Sequence, residues 1–325
     1  MAPDLAALTW QPSAAGLLDL ALALAAGVLV LRHPHAVRPG LTVRTLPLFA
    51  AGLAALSLLA YLAAGTVAMT GGDEDGAGAF LADVWAVLTQ SHFGAMQWLA
   101  ATGVMLIACG AWLWRQARKK LALTAFSADD PRDRHHQREH QAERLARGIF
   151  GAGVVALAVA RAATGHAADA GFVSAAVLIH TFHVLAAATW TGTLLVAGCA
   201  LPGWRRWPVG ARAAYGERLS SIATLALLVV LCSGLFNAWR TIGGTPVASS
   251  NPGAAPYLVW LGAKLVLVVF AISLGAWNRW RFLPRLAGDD HAAQRAFARI
   301  VAMEALVLVM VITFAAKLGT TMPPA

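Results

Sequence analysis

Long apolar runs separated by short polar stretches constrain this chain more than any other feature. Eight runs cover roughly 14–31, 45–69, 92–114, 148–163, 172–200, 219–240, 256–278 and 300–318. An α-helix needs about 20 apolar residues to cross a hydrocarbon core. The apolar residues come in blocks and do not alternate, which excludes an outer-membrane β-barrel. Of the 325 residues, 58% are hydrophobic and only 13% are charged. A soluble domain carries roughly 25% charged residues, so a soluble enzyme is excluded along with disordered and collagen-like chains. The expected fold is all-α: a polytopic bundle of eight transmembrane helices in a lipid bilayer. The fourth run is short and reaches spanning length only by taking in part of 164–168. Residues 80–91, FLADVWAVLTQS, are apolar but short and carry Asp83, which suits an interfacial helix leading into the third span. No Lys or Arg precedes the first run, so the positive region of a secretory signal is missing and a retained helix is expected.

The charge pattern sets the expected orientation. Lys and Arg number three in 32–44, nine in 115–147, four in 205–218 and five in 279–299, or 21 of 25. The stretches 1–13, 70–79, 164–171, 241–255 and 318–325 hold none. Basic loops stay cytoplasmic, so both termini are expected outside. Trp112, Trp114, Trp204, Trp207, Trp277 and Trp280 then mark the inner boundary, and Trp10, Trp85, Trp239 and Trp260 the outer one. The net charge of +9 is thereby used up on topology, and nucleic acid is not an expected partner. An N-terminal region, 1–147, holds three spans, the interfacial helix and the cytoplasmic loop 115–147; a C-terminal region, 148–325, holds five spans. His136 and His140 in the loop are four apart, but the mixed charges around them read as a solvated amphipathic helix.

Ionisable groups inside a span are costly and call for a reason. At 1.5 Å per residue, His180 lies about 12 Å and His183 about 16 Å into the fifth span. Separated by three residues, they share one helix face. Two readings stand for the pair: core histidines bonded to neighbouring helices, or ligands of a bound ion. His166, His92, Met96, Met69 and Met322 also fall towards the outer side. Imidazole with thioether is a ligand set suited to copper, Cu(I) above all. Asp19 and Lys264 lie at matching depths in the outer half, and Glu304 lies level with Asn278 and Arg279 near the inner end; pairing is expected in both sets. Arg161 and Lys317 are close enough to the outer surface to snorkel. Cys109, Cys199 and Cys232 fit neither a disulfide framework nor a zinc cluster, and buried structural thiols are expected.

The last hundred residues contain RLSSIATLALLVVLCSGLFNAWR from Arg218, then APYLVWLGAKLVLVVF, LGAWNRWRFLPRL, a span with Glu304 and the tail LGTTMPP. Gly234, Asn237, Pro256-Tyr257, Lys264, Asn278-Arg279, Pro284, Glu304, Thr320-Thr321 and Pro323-Pro324 form an ordered set. With TGHAA at 164–168 and HVLAAATWTG at 183–192, this set resembles the copper resistance D (CopD) family over roughly 160–325. The resemblance implies an inner-membrane protein of bacterial copper homeostasis that moves copper inward. It also implies a small periplasmic copper-binding protein of the CopC type as partner. It supports His166 and His183 as ligands, and extends to His180, His92, Met96, Met69 and Met322.

The expected function is therefore copper binding in the outer half of the bundle in support of copper uptake. No zinc-water site or nucleophile–base pair is visible, so an enzyme is not expected. Two alternatives stay open. Histidines on different helices can hold a b-type haem, and the long loop can serve a non-transporting assembly or sensor protein.

Overall fold

The computed structural model describes residues 7–31, 41–71, 77–124, 134–165, 171, 174–242, 255–288 and 290–321. Their regular structure is entirely helical: α1 (Ala7–Val30), α2 (Leu41–Thr70), α3 (Ala77–Gln90), α4 (His92–Thr124), α5 (Arg134–Ala163), α6 (Ala175–Ala200), α7 (Val209–Ile242), α8 (Ala255–Trp277) and α9 (His291–Gly319). All but α3 are long and apolar enough to cross a membrane. The chain is thus an all-α multi-pass membrane protein. Short 3₁₀ turns at Leu201–Arg206 and Leu283–Ala287 and a π turn at Asn278–Phe282 link α6 to α7 and α8 to α9.

The centre of the bundle is α1. Around α1 stand α2, α5, α6 and α9. Leu18, Ala21, Leu22, Ala23 and Ala25 are fully buried on it. A small-residue helix can take neighbours on several sides because backbones approach closely where side chains are short. The closest approach is at Gly27 of α1 and Gly192 of α6. A Cβ on Gly27 would collide with the Gly192 carbonyl, and a Cβ on Gly192 with the Ala23 carbonyl. Gly103 and Gly110 of α4 and Gly153 of α5 make a second crossing of this kind. At the other extreme, α8 buries almost none of its spanning surface and α7 little more. Each packs mainly on one other long helix, α7 on α6 and α8 on α9.

Two expected boundaries change. The fourth span is not short: α5 runs for 30 residues, gains its length at the N-terminal side, from 134–147, and ends at Ala163. Nothing in RHHQREHQAERLAR breaks a helix, and Gln, Glu, Arg and Ala favour one. The 115–147 stretch is consequently two helical extensions, of α4 and α5, flanking residues 125–133, which lie outside the described set. Trp114 Nε1 donates to Glu143 Oε1 at 2.9 Å, and Arg118 pairs with the same carboxylate at 3.6 Å. The residue 147/148 division falls inside α5. The apolar segment 80–91 forms its own helix, α3, and Ser91 separates it from α4 while accepting from the Gly94 N–H at 2.9 Å.

Candidate functional site

A polar cluster occupies the interior around α1, α5 and α6. Its strongest bond is one that depth alone did not reveal. Asp19 of α1 accepts two hydrogen bonds from Arg161 of α5, Nε to Oδ1 at 2.7 Å and Nη2 to Oδ2 at 2.9 Å. Such a bidentate pair is the strong form of a charge-assisted bond. Arg161 Nη1 also donates to Thr164 Oγ1 at 3.2 Å and to the Tyr61 hydroxyl at 3.4 Å, and the guanidinium lies over the Tyr61 ring. Arg161 therefore does not snorkel, and Asp19 does not pair with Lys264. Both expectations fail for one reason: the Arg161 fork presents two donors in a plane, which matches a carboxylate better than a single ammonium does.

His180 and His183 lie beside this pair on α6. Their rings are nearly parallel, 10° apart, with centroids separated by 6.0 Å. Each is engaged from α7. His183 Nδ1 is 3.0 Å from Ser233 Oγ, and His180 Nδ1 is 3.2 Å from Asn237 Nδ2. Ser233 also bonds the Val229 carbonyl one turn back, by its shortest contact. A hydroxyl has one proton, so with that proton on the carbonyl, Ser233 accepts from His183 Nδ1–H. By this assignment His183 Nε2 keeps its lone pair, the state a metal ligand requires. Asn237 Nδ2 donates to His180 Nδ1 and places the His180 proton on Nε2; turning the amide over reverses that tautomer. Phe182, between them in sequence, is 54% exposed and points away. Ser233 and Asn237 are four apart on α7, a spacing that sequence could have matched to the histidine pair.

Lys264 of α8 lies within electrostatic range of both rings, and Asp19 and Arg161 within range of His180. Lys264 has no carboxylate within 4.0 Å among the described residues. Among the described residues, no other predicted ligand is bonded to the pair. His92 sits at the start of α4 with Nε2 2.9 Å from the Ala163 carbonyl, at the end of α5. Met96 is half-buried one turn further along α4, and Met69 at the end of α2 is 54% exposed. His166 and Met322 lie outside the described residues. Among the described residues, no group of three His, Cys, Asp or Glu could hold a metal ion. All three cysteines are exposed on the bundle, not buried; a small apolar thiol is at home against lipid.

Deeper along the same face of α6, seven residues beyond His183, Trp190 donates through Nε1 to Glu304 Oε1 at 3.0 Å. Both residues are buried. Gly275 of α8 leaves room for the carboxyl, since a Cβ there would stand 3.0 Å from Oε1. Glu304 does not pair with Arg279, which reaches instead to Ser220 at 2.6 Å and Thr224 at 3.3 Å on α7. Asn278 donates to the Phe297 carbonyl at 3.4 Å. Matching depth again failed to give matching direction.

Residues 213–318, from the first turn of α7 to the end of α9, match the family described as copper resistance protein D. The chain is also similar to the Inner membrane protein YebZ of Escherichia coli (strain K12), 31% identical over 145 residues. That match covers 44% of this chain and 48% of YebZ, so the chain spans about half the length of this curated relative. Residues 213–318 are thus the part of the chain that resembles the CopD family. It supplies Ser233, Asn237, Lys264 and Glu304, whereas His180 and His183 precede it on α6.

Proposed function

We propose that this chain binds copper through the His180–His183 pair and supports its uptake across a bacterial inner membrane. The observation that carries the reading is the pair itself: two imidazoles stacked on one helix face, each oriented by a residue of the CopD-like segment. Orientation of a ligand imidazole by a bond to its other nitrogen is the usual way a protein fixes tautomer and direction; for His180 the ligand tautomer is the one with the Asn237 amide turned so that its Oδ1 accepts from Nδ1–H. Two nitrogens bonded to one ion at about 2 Å each stand at most about 4 Å apart. Rings 6.0 Å apart at their centroids must tilt towards each other to share an ion, or else pass it from one to the next. The second description fits a transporter better than a tight store, because transport needs sites weak enough to leave. Both rings also project from one helix, whereas two axial ligands of a haem iron must approach from opposite sides. Copper is the cargo here; Met69 and Met96 lie towards the proposed outer entrance, where thioethers suit Cu(I). A periplasmic CopC-like protein is the proposed donor.

The test is copper per folded protein and copper uptake into vesicles for His183→Ala, His180→Ala and Phe182→Ala. His183→Ala should lose most of both, His180→Ala somewhat less because water can replace the outer ring, and Phe182→Ala neither. Wild-type copper and uptake in both histidine variants would return the pair to interhelical hydrogen bonding. A visible haem band lost in those variants, with copper unchanged, would decide for haem.

A further inference from the structure

We infer that the end of the bundle where α6 meets α9 is a binding pocket for a phosphate-bearing anion, the headgroup of an anionic phospholipid. This inference is independent of the copper reading. A cavity of about 340 Å³ lies between Gly198 and the Leu201–Arg206 turn on one side and the first three turns of α9 on the other. Small residues make the space: Gly198 on α6, and Ala298 and Ala302 on α9. The polar groups that line it are nearly all donors. Arg295 and Arg299 are exposed and one turn apart, and His291 stands one turn before Arg295. Gln294 is only 1% exposed, and its Nε2 has no hydrogen-bond partner among the described residues. Its Oε1 is 3.4 Å from His291 Nδ1, and with the amide assigned this way round the donor end is left over. A buried amide donor without an acceptor is costly, and a native structure normally gives such a group a partner. No carboxylate lines the cavity. The nearby acid, Asp290, is spent on capping α9, accepting from the N–H groups of Ala292 and Ala293. Its carboxyl is held below the usual carboxylate range by the Ala293 N–H first, with the Ala292 N–H adding to it.

Two features favour a lipid over free phosphate. The rest of the lining, including Leu201, Pro202 and Trp204, is apolar, which suits a glycerol backbone better than water. The row Ala298–Ala302 also continues along α9 at four-residue steps to Leu306 and Met310, both exposed. An acyl chain descending from a headgroup at Arg295 and Arg299 follows that row. The basic loops gather at this end, the side on which anionic lipid headgroups meet basic pockets between helices.

The experiment uses the full chain in mild detergent and reads retained lipid by native mass spectrometry, with phosphatidylglycerol, phosphatidylcholine or inorganic phosphate added. Wild type should retain phosphatidylglycerol over phosphatidylcholine. Arg295→Ala with Arg299→Ala should lower that retention roughly ten- to thirtyfold, the usual effect of two basic side chains at an anionic headgroup. Ala302→Trp, which fills the cavity and keeps the charge, should lower it too. Arg281→Ala with Arg285→Ala removes the same charge from exposed positions outside the cavity and should leave retention unchanged. Equal losses in the two double variants would reduce the effect to diffuse surface charge and overturn the pocket. Undiminished retention in both pocket variants would do the same. Inorganic phosphate that displaces the lipid at equal concentration would overturn the lipid and leave a free anion in its place.

Discussion

At the scale of single residues, the interior of this bundle is decided by which polar group faces which. Asp19 and Arg161 are partly shielded, their side chains 21% and 15% exposed. Removing one member of such a pair strands the other charge, at a cost of about 3–5 kcal/mol when fully buried and somewhat less here. Asp19→Leu and Arg161→Met should each lower the melting temperature in detergent, and the double variant should lose much less than their sum. Additive losses would mean that the two side chains do not act as a pair. Lys264 makes the opposite contribution to the proposed copper site. A positive charge within about 10 Å opposes a bound cation by about 1–2 kcal/mol at an effective dielectric near 20. Lys264→Met should therefore raise copper affinity, roughly tenfold, in a copper competition titration, and a fall would show that the ammonium supports the site instead. Hydropathy located Asp19, Arg161, Lys264 and Glu304 by height along the membrane normal. It carries no record of rotation about each helix axis or of which helices are neighbours, so the real partners, Arg161 for Asp19 and Trp190 for Glu304, could not be read from it.

At the scale of elements, the helices are where the sequence was most legible. A run of some 20 apolar residues leaves the backbone one way to satisfy its hydrogen bonds in lipid, so each run had to be a helix. The exception is α5, whose polar first half carries no apolar signal, although its Glu143 joins Trp114 of α4 and its Arg147 donates to the Leu29 carbonyl at the end of α1, at 3.0 Å. The same limit hid the crossing of α1 and α6, because a glycine in an Ala-rich run looks like any other small residue. Gly27→Ala and Gly192→Ala push a methyl group into backbone, which no rotamer change relieves. Each should cost at least the 1–3 kcal/mol typical of overpacking. Gly52→Ala and Gly262→Ala meet nothing within 4 Å. They should be neutral or stabilising by up to about 1 kcal/mol, the helix-propensity difference between the two residues. Thermal unfolding of the four variants side by side checks both expectations.

At the scale of the whole molecule, the charge asymmetry of the loops predicts both ends of the chain on the outer side. A periplasm-active reporter fused after Ala325 should be active, and a cytoplasm-active one silent. The reverse result would move the His180–His183 pair to the inner half and with it the proposed direction of copper entry. The architecture also bears on how the protein is made. The central helix α1 carries one carboxylate, and the partner of that carboxylate follows 142 residues later in the chain. At about 5–20 residues per second, Arg161 emerges roughly 7–30 s after Asp19. For that interval α1 has α2 beside it but neither its counter-ion nor α6 and α9, which later enclose it. Asp19 is therefore expected to stay near water or a polar surface until α5 arrives, and the bundle closes around α1 only once α6 and α9 have followed.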